Sequence, residues 1–128
     1  MTVNHSLFRL RNDTTIVGYL KLYANGKSEF SKDMFWWHGD RIQYNEKDAF
    51  SGQYDRNNRA LFNNDVVAIR KGTTPKEKTN CLLTFDEERG SFTFIEIETE
   101  QLFELFLNDL PLFHKSELTF VGMHIPDH

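Results

Sequence analysis

The chain has 128 residues, 39% of them hydrophobic and 27% charged, with a formal net charge of −4 at neutral pH. That length and mixture suit one globular domain burying about two thirds of its unfolded surface, and they exclude a collagen-like, low-complexity or disordered chain. The opening MTVNHSLFRLRN has no apolar signal-like core, no run nears the ~18 apolar residues that span a bilayer, and Cys81 is the only cysteine; the expected setting is the reducing cytoplasm, with no membrane and no internal disulfide.

The first half reads as short strands separated by turn residues. Leu7-Phe8-Arg9-Leu10-Arg11 and the run from Ile16 to Tyr23 are predicted strands. Asn25-Gly26 supplies the positive-φ positions of a tight turn, with Ser28-Glu29-Phe30 as the returning arm. Met34 to Trp37 and Arg41 to Tyr44 are predicted to form a second hairpin about His38-Gly39-Asp40, with Ile42 and Tyr44 on one strand face. Leu61-Phe62 and Val66-Val67-Ala68-Ile69 flank Asn63-Asn64-Asp65, a polar step that requires a sharp turn. The segment from Lys71 to Asn80, KGTTPKEKTN, has no residue of the buried type and is predicted to be an exposed loop.

Cys81 to Phe85 and Ser91 to Ile97, joined by the polar step from Asp86 to Gly90, form the clearest predicted hairpin. From Thr99 the apolar period changes. Leu102, Phe103, Leu105, Phe106 and Leu110 recur at helical spacing, so a helix is predicted over 99–110, with Thr99 as its N-cap and Pro111 as its stop. Leu107 widens the apolar stripe beyond one face, which makes Phe103, Phe106 and Leu107 the expected interface of a homo-oligomer. The run from Leu118 to Met123 is the last predicted strand. The expected class is mainly β, a β-rich α+β fold with one helix, and 1–128 is read as a single domain.

Charge is unevenly placed. Residues 56–78 carry Arg56, Arg59, Arg70, Lys71, Lys76 and Lys78 against Asp65 and Glu77, whereas 86–109 carry eight acids against Arg89 alone. The basic run, beside the aromatic pair Trp36 and Trp37, is the pattern by which small barrels hold single-stranded nucleic acid, although the acidic total weakens non-specific affinity for phosphates. Phe35-Trp36-Trp37 places aromatics on both faces of its segment, as a stacking platform or as core and interface. His38 with Asp40, and His124 with Asp127 and His128, are the only sets with metal-ligand chemistry; neither has the spacing of a defined site, and no metal or cofactor is assigned. Cys81 opens an apolar strand, the setting of a structural cysteine rather than a nucleophile. Phosphate-loop, dinucleotide, nucleophile-elbow and paired-cysteine motifs are all missing, so no catalytic residue and no enzymatic activity are assigned.

The stretch Ser51 to Val67, SGQYDRNNRALFNNDVV, resembles the YopX-like family of phage and prophage proteins, in which a run such as TGLKDKNGKEIYEGDIV aligns without a gap. Gly52, Asp55, Asn57, Asp65 and Val67 match in place, and Ser51, Leu61, Phe62 and Val66 match in kind. Asn58 and Asn64 stand where the family has glycines, and asparagine is among the residues that tolerate the left-handed conformation. Phe85-Asp86 with Gly90 and Phe92 resembles the family's hairpin, and Val121-Gly122 its closing step ahead of a proline, here Pro126. The similarity covers about 45–128. It implies a small SH3-like barrel core, to which the N-terminal hairpins are additions, and self-association. It implies no activity, because the matched positions are turn and core positions.

The expected function is that of a phage or prophage accessory protein acting in the bacterial cytoplasm by binding a host or phage protein and by self-association. The alternatives are a nucleic-acid-binding module using the basic loop and the aromatics, and an acidic decoy or clamp for a basic host protein.

Overall fold

The computed structural model describes residues 5–70, 78–108 and 110–124. It is mainly β, built from antiparallel sheets, and the chain divides into two compact units, Met1–Phe50 and Ser51–His128. Among the described residues no helix is long and apolar enough to cross a membrane.

In the first unit, β1 (His5–Asn12), β2 (Thr15–Tyr23) and β3 (Ser28–Ser31) form a meander, and the start of β4 (Glu46–Tyr54) pairs antiparallel with the other edge of β1. The turn after β2 is the predicted Asn25-Gly26 step: Gly26 stands at φ 87°, and the Asn25 side chain accepts the Lys27 amide at 2.9 Å. Leu10, Leu20 and Phe30 are buried from three adjacent strands and are joined by Phe8, Val17, Ile42 and Tyr44. Gly18 permits this packing. A Cβ there would lie 2.6 Å from Ile42 Cδ1 and 2.8 Å from the Ser31 carbonyl, closer than packed atoms allow. On the other face of β1, Arg9 and Arg11 meet Asp48 of β4, all three buried.

The predicted second hairpin does not form. The run from Met34 to Trp37 is irregular, a single bridge joins His38 to Phe30, and residues 41–44 lie in no strand. Side chains take the backbone amides that a ladder would have used, as Ser and Asp do at turns. Ile42 and Tyr44 still share one packing face, as their spacing predicts.

In the second unit, β5 (Ala60–Phe62) and β6 (Asp65–Arg70) are joined by a tight turn with Asn64 at φ 78°. The buried Asp65 carboxylate accepts the Phe62 amide at 2.8 Å across it. β7 (Lys78–Asp86) and β8 (Ser91–Glu96) form the expected hairpin, in register from Asp86–Ser91 to Cys81–Glu96. Lys78, Thr79 and Asn80 belong to β7 rather than to a loop, because they continue the ladder with β6 opposite Arg70, Ile69 and Ala68. The rest of that predicted loop, 71–77, lies outside the described residues.

The helix predicted over 99–110 is replaced by β9 (Leu102–Glu104), β10 (Phe106–Leu107) and β11 (Leu110–Pro111). Glu100 at φ 60° and Asn108 at φ 52° are left-handed and break any helix at both ends. Thr99 caps nothing longer than a turn, its hydroxyl accepting the Gln101 amide at 3.3 Å. The apolar run is divided by pairing instead. β9 extends the sheet beside β8, Leu105 is fully buried, and Phe103 and Phe106 lie against the core. The closing strand β12 (Leu118–Met123) pairs with β6, giving the sheet order β12-β6-β7-β8-β9. Its core is Leu61, Val67, Ile69, Cys81, Leu83, Phe94, Leu105, Phe113 and Leu118.

Candidate functional site

The segment after β3 carries the most exposed aromatic rings among the described residues. The buried Ser31 hydroxyl accepts the amides of Met34 at 2.9 Å and Asp33 at 3.3 Å, and it donates to Asp33 Oδ1 at 3.0 Å. The same Asp33 oxygen accepts the amides of Phe35 at 2.8 Å and Trp36 at 3.1 Å. These amides, Phe35 first, hold the Asp33 carboxyl below its ordinary value of 3.8 by stabilising the anion. Met34 is left at φ 71°, a conformation a non-glycine residue keeps only when its surroundings fix it. Two backbone bonds between His38 and Phe30, at 2.7 and 2.9 Å, tie the far end.

This scaffold projects Phe35, 91% exposed, and Trp36, 71% exposed. The Trp36 ring is braced by His38, at a centroid distance of 4.9 Å. Trp37 behaves differently. Its indole nitrogen donates to the Met34 carbonyl at 3.2 Å and Lys21 Nζ sits 4.3 Å over its ring, so it is half-buried and occupied. An exposed aromatic pair on a hydrogen-bonded backbone forgoes burial, and exposed apolar surface of this kind marks interaction sites.

The structure distributes the other predicted site residues over the second unit. Arg56 and Arg59 are exposed on the turn after β4, Arg70 ends β6, and Lys78 starts β7 opposite it. Lys71 and Lys76 lie outside the described residues. Of the predicted interface, Phe103 and Phe106 are half-buried against the core, and Leu107 alone is exposed. It is the Cα partner of Leu110 across β10 and β11, and Leu112 follows, all three exposed. His38 Nδ1 lies 4.0 Å from Asp40 Oδ2 and accepts the Asp40 amide at 3.2 Å. The His124 amide is bonded to the Asn64 carbonyl, while Asp127 and His128 lie outside the described residues. Among the described residues no three His, Cys, Asp or Glu side chains gather as metal ligands would. Cys81 is fully buried.

Sequence reasoning missed the buried charges. Arg11 Nε and Nη2 donate to the two Asp48 oxygens at 2.7 and 2.9 Å, and Arg9 Nε donates to Asp48 Oδ2 at 2.9 Å. Arg11 also donates to the Asp13 carbonyl. The Asp48 bonds raise the Arg11 pKa against the opposing effect of burial. The signal was present in Arg9-Leu10-Arg11, where alternation puts both guanidinium groups on the face opposite Leu10. Comparison of the chain with protein-family models, curated proteins and solved structures gives no match.

Proposed function

We propose that this is a phage or prophage accessory protein of the YopX-like kind that acts by binding, seating Phe35 and Trp36 in an apolar pocket of a host or phage protein. One observation carries the binding role: two exposed aromatic rings stand on a backbone fixed by Ser31, Asp33 and His38. Preorganisation lowers the entropy lost on docking, and buried Trp side chains are frequent hot spots. The family reading draws support from backbone conformation. Gly52, and the two asparagines that replace family glycines, Asn58 and Asn64, all have positive φ, at 86°, 61° and 78°. Self-association uses the Leu107, Leu110 and Leu112 surface, exposed apolar area that a second copy would cover.

The test is capture of a partner from bacterial lysate by the wild type and by a Phe35→Ser/Trp36→Ser variant, followed by titration of the purified partner against both. The expected outcome is at least a tenfold loss of affinity in the variant with an unchanged circular dichroism spectrum. Equal affinity removes the aromatic pair from the binding role.

A further inference from the structure

Five basic side chains that are scattered in sequence meet at one end of the second unit's sheet. Arg70 ends β6 and pairs in register with Lys78 at the start of β7. β12 begins beside them, Leu118 opposite Ile69. The turn carrying Arg56 and Arg59 is fastened to the outer edge of β12 by the Arg56 amide on the Leu118 carbonyl at 2.9 Å and by Asp55 Oδ2 on the Phe120 amide at 3.0 Å. Lys115 is held to the same turn through Asn58 Oδ1 at 2.8 Å. The acid nearest Lys115 in sequence among the described residues, Glu117, is engaged by the His114 amide.

None of these five cations is in an ion pair among the described residues. Among the described residues the buried Arg70 Nε has no acceptor, a donor that lacks its partner. Arg59 stands with its guanidinium carbon 3.6 Å from the Phe120 ring centroid, so the cation is held over the ring while the residue stays exposed. Tyr54, next to the turn, is 43% exposed. Cations spread over neighbouring chain segments about 4.8 Å apart match an extended anion rather than one phosphate group, and a stacked guanidinium beside an exposed ring matches bases.

We infer that this end of the second unit binds single-stranded nucleic acid, with Arg56, Arg70 and Lys78 on successive phosphates and Arg59, stacked on Phe120, against a base. This surface uses residues of 51–128 alone. Glu96 and Glu98, which line a hollow with Lys78, bound it on the β8 side and turn the strand away. The site therefore spans only a few nucleotides, which explains how an acidic protein carries it: local cations, not net charge, neutralise the phosphates.

The test is fluorescence anisotropy of the full chain with labelled dT12 at 50 and 200 mM KCl, beside a labelled twelve-residue polyglutamate. Three neutralised phosphates give a log–log salt slope near −2. The expected result is that Arg56→Glu/Lys78→Glu, both exposed positions, weakens dT12 binding at least tenfold, and Lys27→Glu/Lys32→Glu in the first unit leaves it unchanged. Arg59→Lys, which keeps the charge and loses the plane, weakens dT12 severalfold but not an abasic twelve-mer. Absence of dT12 binding at 50 mM KCl overturns the inference, as does indifference to Arg56→Glu/Lys78→Glu or equal binding of polyglutamate.

Discussion

Asp55 accepts the amide of Phe120 at 3.0 Å, a bond between residues 65 apart in sequence that occupies the outer edge of β12. The other Asp55 oxygen accepts the amides of Asn57 and Arg59, each at 2.9 Å, so one buried carboxylate forms the turn and attaches it to the sheet. Hydrogen bonds to a charged acceptor are worth about 1.5–3 kcal/mol each, and an orphaned buried amide costs a comparable amount. Asp55→Ala is expected to destabilise the second unit by at least about 3 kcal/mol in urea unfolding. It is also expected to increase aggregation, because an uncovered edge strand pairs with other chains. A loss below about 1 kcal/mol refutes this account.

Asp48 is the acceptor for both Arg9 and Arg11, and all three are buried. Removing one member of a buried ionic cluster leaves charge without compensation and typically costs about 3–5 kcal/mol. Asp48→Ala is expected to lower the stability of the first unit by that amount, read by tryptophan fluorescence during urea unfolding. A triple change of Arg9, Arg11 and Asp48 to leucine or methionine is expected to be far milder, since no charge is then stranded.

The Asp33 carboxyl titrates below its ordinary value of 3.8 because the folded loop stabilises the anion. A depressed carboxyl contributes stability above its unfolded value and loses it as pH falls through the folded one. The loop carrying Phe35 and Trp36 is therefore expected to loosen below about pH 3.8, seen as a change in tryptophan emission and quenching. Asp33→Asn is expected to abolish that acid step and to show the loosened signal already at pH 7.

Leu107 and Leu110 face each other in register across β10 and β11, and both are exposed. Sedimentation of the wild type at tens of micromolar, where an interface of micromolar affinity is closed, is expected to give an oligomer. Leu107→Glu/Leu110→Glu is expected to give a monomer of unchanged fold. A monomeric wild type ends the self-association proposal.

Much of the sheet was legible because side-chain alternation and turn chemistry agree locally. The β7–β8 hairpin, the strand from Leu118 to Met123 and the Asn25-Gly26 turn all lie where such signals reinforce one another. The 99–110 segment was misread because Leu102, Phe103, Leu105, Phe106 and Leu107 satisfy a helical and an extended pattern equally. Antiparallel pairing of β9 with the neighbouring β8 decided the matter. The loop after β3 was misread because its hydrogen bonds run from Ser31 and Asp33 to backbone amides, and strand propensity does not register them. Trp36 and Trp37 were identifiable as a pair. Which one faces water depends on Lys21, sixteen positions before Trp37 and on β2.

Both tryptophans lie in the first unit, and the single cysteine, Cys81, is fully buried in the second. The protein thus carries two intrinsic reporters that do not overlap. Indole emission follows the first unit, while the rate at which a thiol reagent reaches Cys81 follows transient opening of the second, since a fully buried thiol reacts only when the strands around it part. One unlabelled sample under increasing denaturant yields both opening free energies, and their difference measures how far melting of one unit obliges the other to follow.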